Sequence, residues 1–502
     1  MSVSRQIWRG AALVSGASLL ARVGTFLANL AIIRLLGREA LGELGLVESW
    51  LGLATMFSLV GLGVGVTKFI AASWGRDAQQ VGVLIATSLL LGALGGLLVG
   101  ALVWALLQLP VWGQNNIAAL LRLYAGLFVG LIVLTTLKQV VTSIIYGLQT
   151  FQVLVGANIA VGLLSFPLSF WLVKERHLEG VLLARVGLSL VELLWLSVAM
   201  FHTLRRERVL LHLGNAPREA RALLLFGLPT LVGQLASNPV QPLVLSLLAA
   251  QPGGVAQVGL ITVGQRLVSL VNFFPGAMAS TITPVLSSEW ATGDAERFRT
   301  GALTTLRMCW MCALPLTLIF MAACPTTLAR LYGPSFVDAW PVTFLLLFAS
   351  LLSSLNETAD RSFIAAGRVW LSTSNNFAWL ALFVPLAWWL VPRYGALGYA
   401  GLFLVTFALY VALQMWWLHR LFGVRVGALL PLLGTSLLLL VLAWQLSWLR
   451  AVPGALALTL ACLSIEAAYF LSQTEKDAFV RRVLQSGPGR RLWRQRALPD
   501  QA

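Results

Sequence analysis

The sequence predicts an all-helical integral membrane protein with fourteen transmembrane helices, and three observations carry that reading. Of 502 residues, 58% are hydrophobic and only 11% charged, with a mean hydropathy of +0.84; a soluble protein would carry about twice that charged fraction. Apolar runs recur along nearly the whole chain. They reach the ~20 residues a helix needs to cross a bilayer, and they lack the period-two segments of an outer-membrane barrel. No connecting stretch is long enough to fold as a domain of its own; the longest, 204–221, is a short basic connector.

In order, the runs lie near 9–35, 42–68, 80–108, 116–147, 152–173, 178–203, 222–249, 256–287, 301–325, 337–361, 370–391, 394–419, 428–448 and 452–472. The first follows the basic start MSVSRQIWRG but is too long for a signal peptide and has no small-residue cleavage site, so it reads as a retained span. An even number of spans puts both termini on one side. With the N-terminus inside, inner segments hold 21 Lys and Arg against 7 in the outer ones, and 14 against 7 without the C-terminal tail. The positive-inside rule then makes both termini cytoplasmic. The same bias accounts for the net charge of +16. The tail FVRRVLQSGPGRRLWRQRALP, with apolar residues among its arginines, suits anionic phospholipid headgroups rather than nucleic acid.

The chain also repeats itself. ALGELGL at 40–46, entering the second span, is echoed by GVAQVGL at 254–260, entering the eighth. AASWGRDAQQ at 71–80, leaving the second, is echoed by SSEWATGDAERF at 287–298, leaving the eighth; the offset is roughly 214 residues in both cases. Six spans per repeat leave the halves with the same topology, which predicts two six-helix lobes related by an axis along the membrane normal. The expected organisation is an N-terminal lobe (1–203), the connector (204–221), a C-terminal lobe (222–422), two added helices (423–472) and a basic cytoplasmic tail (473–502).

Seven basic residues remain inside spans: Arg22, Arg122, Lys138, Arg185, Arg266, Arg307 and Arg361. Arg122, Arg307 and Arg361 lie near span ends and can snorkel to the interface. The others are harder to place in lipid, where a basic residue at a helix centre costs about 2.5–3.5 kcal/mol on insertion scales and therefore faces water or a partner. Arg22 lies on a stripe with Ser15, Ser18, Thr25 and Asn29, spaced 3, 4, 3 and 4 apart on one helix face. Span 4 carries Thr135, Lys138 and Thr142; span 7 carries Thr230, Gln234, Asn238 and Gln241; span 8 carries Thr262, Arg266 and Ser269, with Gln265 and Asn272 beside them. Such stripes suit helices lining a shared polar cavity of positive sign. Arg22, Lys138 and Arg266 would meet a phosphate or pyrophosphate there, the arginines by two-pronged contacts.

Of the intramembrane acids, Arg185 and Glu192 lie two turns apart on one face with Ser189 between, which suggests a structural charge network. Glu357 and Asp360 precede Arg361 and can neutralise it, and Glu48 sits near the outer end of span 2. Glu48, Glu192, Glu357 and Asp360 are the carboxylates available to a coupling proton or sodium ion. Cys309 and Cys312 make a C-x-x-C, but in an apolar helix they read as small packing residues. The four histidines are scattered, so no metal site or other cofactor is expected.

These residues resemble a family. LLARVGTFLANLAIIRLLGREALGELGLVESW followed by FSLVGLGVGVTKFIA is similar to the start of bacterial polysaccharide (O-antigen type) flippases, within the multidrug, oligosaccharidyl-lipid and polysaccharide exporter superfamily. GQRLVSLVNFFPGAMASTITPVLSSEWATGD, with Arg266 after a polar residue and Pro284 before the helix exit, looks like its eighth-helix region. The resemblance implies paired six-helix lobes alternating between inward- and outward-open states. Its implied substrate is an undecaprenyl-pyrophosphate-linked oligosaccharide, moved from the cytoplasmic to the periplasmic leaflet of the inner membrane without covalent chemistry, alongside other polysaccharide assembly proteins. Arg22 matches a basic position in the first helix of the related lipid II flippases, but Ala28 and Asn29 stand where those carry further basic residues. The early first-helix carboxylate of cation-coupled drug exporters has no counterpart here. Lipid II flipping and drug export remain as alternatives. A membrane polymerase or ligase fits less well, because the outer loops are short and His177 is the one histidine placed in them.

Overall fold

The computed structural model describes residues 3–108, 122–272 and 295–424, with isolated positions at 286–287, 290, 427, 434, 438, 441–442 and 444–445; side chains are described from Val23 onward, Phe151 excepted. The side chains of Arg22, Ser15 and Ser18, together with Pro284, Cys462, most of 428–448 and all of 452–472 and the tail, lie outside the described residues. Among the described residues there is no strand; the helices are joined by turns and short irregular stretches.

The helices are α1 (Val3–Leu59), α2 (Leu62–Ser73), α3 (Ala78–Gln108), α4 (Ala125–Gly147), α5 (Phe151–Arg206), α6 (Ala216–Leu235), α7 (Val240–Ala249), α8 (Gly254–Val271), α9 (Ala295–Ala322), α10 (Trp340–Ala365) and α11 (Val369–Phe422). Short helical turns fill Cys324–Ala339 between α9 and α10. Among the described residues, eight helices are long and apolar enough to cross a membrane, or up to nine when the bent pair formed by α1 and α2 counts as one span.

Three of the helices hold two expected spans each. α1 breaks at Gly37 (φ 78°, ψ −176°), α5 at His177 (φ 48°, ψ −124°) and α11 at Gly395 (φ 57°, ψ −131°). The first two breaks fall between spans 1 and 2 and between 5 and 6, where the sequence turns polar; Gly395 falls at the second residue of expected span 12, just after the polar PRY. A reversal that tight needs a positive φ, which glycine adopts without a Cβ penalty. The expected second span is itself interrupted at Val60 and Gly61 and bends by 45° into α2. The seventh is interrupted at Ala236–Pro239, between α6 and α7.

Continuous helix is what an apolar environment demands, because every backbone N–H and C=O must be satisfied within the segment. At the polar end of α2 the chain caps itself instead: Asp77 Oδ1 accepts the Gln80 amide at 2.9 Å, and Ser73 donates to the Gln80 side chain at 2.8 Å. Bulky apolar side chains point outward, with Leu98 at 69% and Trp171 at 63% exposure, as lipid-facing surfaces require. Arg393 lies over the Trp389 ring at 4.9 Å and Arg420 over Trp416 at 5.9 Å, so each half of α11 ends in an aromatic–cation pair.

The chain forms two compact units. The first comprises Met1–Val263, Leu328–Val342 and Thr373–Leu402. Its interior includes Leu62, Val66, Ile85, Val140, Ile144 and Leu196 in one cluster and Val47, Phe128, Leu131 and Leu182 in another. The second comprises Gly264–Thr327, Thr343–Ser372 and Phe403–Ala502. Its interior is built on Trp310, Phe298, Leu347, Leu351, Phe363 and Phe422.

Candidate functional site

Among the described residues of the first unit, the mid-span cations Lys138 and Arg185 are each paired with a carboxylate. Lys138 Nζ on α4 meets Glu192 Oε2 on α5 at 3.0 Å, both side chains mostly enclosed at 26% and 21% exposure. Arg185, two turns before Glu192 on α5, pairs instead with Glu48 on α1. The network expected between Arg185 and Glu192 is therefore two cross-helix pairs. Residues seven apart on a helix are more than 10 Å apart along its axis, too far for direct contact, while neighbouring helices bring Glu48 and Lys138 close. Each pair neutralises its charges locally and ties α5 to a neighbour.

The hydroxyl stripe around Lys138 serves the helices. Thr135 bonds back to the Leu131 carbonyl at 2.6 Å and Thr142 to that of Lys138 at 2.8 Å. Thr135 also meets the Thr55 hydroxyl of α1 at 3.1 Å. Trp50 of α1 donates to Ser246 of α7 at 3.0 Å. Asn29 is half-buried on α1, seven residues beyond Arg22, whose backbone belongs to the same helix.

Gln234, Asn238 and Gln241 gather at the interruption of the seventh span. The Gln234 carbonyl accepts the amides of Ser237 and Asn238 at 3.2 and 3.0 Å, closing the last turn of α6, and Pro239 prevents the helix from simply continuing. Asn238 is exposed and reaches Met56 Sδ at 3.1 Å, while Gln241 is exposed in the first turn of α7. A broken helix at this depth presents backbone and amide groups together, as binding sites in membrane transporters do.

The second unit holds Arg266 and Asn272 and a buried polar group that the sequence reading missed. Arg266 is half-buried on α8, its carbonyl accepting from Ser269 at 2.7 Å; Asn272 accepts from Ser350 of α10 at 2.6 Å. Glu357 pairs with Arg361 at 2.8 Å one turn away on α10. Asp360 faces Ser372 and Arg361, yet its Oδ1 is buried without a hydrogen-bond partner among the described residues. One turn before it, Asn356 is 6% exposed and, among the described residues, neither of its amide atoms has a hydrogen-bond partner; on α11 Gln414 is fully buried, and among the described residues its amide has no partner beyond the approach of Tyr410. Tyr410, one turn before Gln414, faces Gln414 and the Asp360 carboxylate. The sequence did contain the signal: Asn356 and Asp360, like Tyr410 and Gln414, are polar pairs four apart inside apolar runs.

Cys309 is buried and Cys312 exposed, both as free thiols, and no group of His, Cys, Asp or Glu suited to a metal ion occurs among the described residues.

The same fold occurs in solved transporters. An inward-facing multidrug resistance MATE family transporter of the MOP superfamily aligns with a TM-score of 0.69 at 18% identity, over 81% of this chain and 98% of that one. Lipid II flippase MurJ in its inward closed conformation aligns at 0.68 and 12% identity, over 91% and 98%. A MOP superfamily transporter from Pyrococcus furiosus Vc1 aligns at 0.60 and 19%, over 83% and 95%. No curated protein matches the chain. The family described as "Polysaccharide biosynthesis protein" matches residues 7–290, more than half of the length. On that match the chain belongs to the polysaccharide biosynthesis protein family, with the helical fold of MOP-superfamily transporters.

Proposed function

We propose that the protein is a flippase that carries a polyprenyl-pyrophosphate-linked oligosaccharide from the cytoplasmic to the periplasmic leaflet for cell-surface polysaccharide synthesis. The observation that carries the reading is the family match over 7–290, on a fold whose solved examples are transporters. Two six-helix lobes (1–203 and 222–422) would alternate in exposing a hydrated cavity, with 423–472 beside them and the basic tail on anionic lipid. With the fourteen expected spans, both termini would lie in the cytoplasm of a bacterium.

Arg22, Lys138 and Arg266 are the residues proposed to receive the pyrophosphate; Asn29, Gln234, Asn238, Gln241 and Asn272 offer hydrogen bonds to sugar. Lys138 reaches an anion only by exchanging it for Glu192, so Glu192 would set the affinity of that position. Three of the four candidate coupling carboxylates are committed to cations: Glu48 to Arg185, Glu192 to Lys138, Glu357 to Arg361. That leaves Asp360, with the amide oxygens of Asn356 and Gln414, as the proposed seat of a proton or sodium ion. A buried amide without a partner costs stability, and a hard cation takes oxygen ligands of this kind. Drug–cation antiport is the second reading, favoured by the MATE-like fold.

The test is the leaflet distribution of labelled lipid-linked oligosaccharide in inverted vesicles, wild type against Arg22→Ala. Translocation by wild type and its loss in an inserted, folded Arg22→Ala protein are expected. If wild type moves no such lipid, the flippase reading fails.

A further inference from the structure

We infer that Arg34 and Arg38, on either side of the Gly37 turn, form a releasable latch with the segment 328–338 that holds one end of the first unit closed. The inference rests on the proposed alternating-access reading, which makes this the periplasmic end. From one turn, two guanidinium groups reach nearly 300 residues along the chain. Arg34 donates from Nε to the Leu331 carbonyl at 2.6 Å and from Nη2 to that of Arg330. Arg38 donates from Nε to the Ser335 carbonyl and from Nη2 to Asp338 at 2.7 Å.

Beneath the latch, α1 and α8 meet backbone to backbone. A Cβ on Gly42 would fall 1.9 Å from the Val255 carbonyl oxygen, and one on Gly259 would fall 2.1 Å from that of Arg38. Both positions exclude any side chain while the seam is shut. Thr262, one turn after Gly259, is 4% exposed against this seam. The turn at Gly395 joins the same end, with the Ala396 amide donating to Gln257 of α8 at 2.8 Å.

The chemistry of the two layers differs in a way that suits a latch. The rim is charged and wet: Asp338 is 72% exposed and Arg38 32%, and exposed ion pairs contribute little each, so the rim can open at small cost. The seam below is shape-matched and has two settings, in contact or apart, because glycine backbone contact has no intermediate packing. The arginines thus serve as the grip on 328–338, and Gly42 and Gly259 as the surface that allows closure.

The experiment uses the full chain in nanodiscs, with Cys309, Cys312, Cys324 and Cys462 replaced by Ala and a reporter Thr262→Cys. The rate of labelling by a hydrophilic maleimide reads the opening of the seam and needs no substrate, so its outcome is separate from that of the flippase assay. Arg34→Ala with Arg38→Glu is expected to raise the rate about tenfold, the scale on which a change of one to two kcal/mol moves a two-state population. Adding Asp338→Arg to Arg38→Glu alone should return the rate towards wild type, which a merely misfolded variant would not do. Gly259→Val should raise labelling with the latch intact. Labelling indifferent to the Arg34 and Arg38 changes, or a charge exchange that restores nothing, would overturn the latch.

Discussion

Two polar groups, one in each unit, accommodate buried polarity differently. In the first, every basic residue discussed above whose side chain is described and lies in mid-span, Lys138 and Arg185, has a carboxylate on a neighbouring helix. In the second, two buried neutral amides, Asn356 and Gln414, have hydrogen-bonding capacity unmet among the described residues, as does Oδ1 of Asp360. A closed ion pair holds helices together and has little left to offer a ligand. An unsatisfied oxygen cluster is costly when empty and is relieved when something binds. The difference teaches that charge and unmet hydrogen-bonding capacity are separate signals, and that the proposed ion site follows the second.

The largest effect is expected in the first unit. Lys138→Met or Glu192→Leu alone leaves a charge stranded in a poorly hydrated place and should cost about 3 kcal/mol, whereas the double variant should recover most of it. Thermal unfolding in detergent reads this, and a double variant no better than the singles would break the comparison. A similar magnitude, of opposite sign, should appear in the second unit on adding sodium or acid: a cation at a hundred times its dissociation constant stabilises by about 2.7 kcal/mol. That gain should vanish in Asp360→Asn. Sodium and pH changes that shift wild type and Asp360→Asn equally would empty the proposed site.

Smaller but more telling is Gln414→Leu. Replacing an unpartnered buried amide by an apolar side chain of similar size should raise ion-free stability by about 1 kcal/mol while removing the response to cation. A loss of stability would mean that the amide has structural partners after all. The smallest effect belongs to the Thr55–Thr135 contact, where Thr55→Val should cost about 0.6 kcal/mol, the average for interhelical hydrogen bonds in membranes.

The all-helical, many-span character was legible because lipid makes hydropathy informative: the breaks at Gly37 and His177 fall where the sequence turns polar between expected spans, and that at Gly395 falls one residue into the expected twelfth. The pairings were not. Arg185 and Glu192 share a helix face, and periodicity suggested that they would share a network. It cannot say which neighbouring helix brings the nearer charge, and tertiary packing gave them Glu48 and Lys138. Gln414 was overlooked for the complementary reason: the Tyr410–Gln414 spacing was there to read, but one amide in YVALQMWW resembles an interfacial residue until α10 brings Asp360 towards Tyr410. Arg34 and Arg38 counted only as orientation markers, since nothing local in the sequence points to 328–338.

The most direct test of the central claim uses purified protein in proteoliposomes loaded with fluorescent polyprenyl-pyrophosphate-linked oligosaccharide, with outer-leaflet probe quenched over time. The account predicts protein-dependent movement of probe between leaflets, competed by unlabelled pyrophosphate-linked substrate and not by the same lipid-linked sugar lacking phosphate. Movement at the protein-free rate, or equal competition by the phosphate-free lipid, would contradict it.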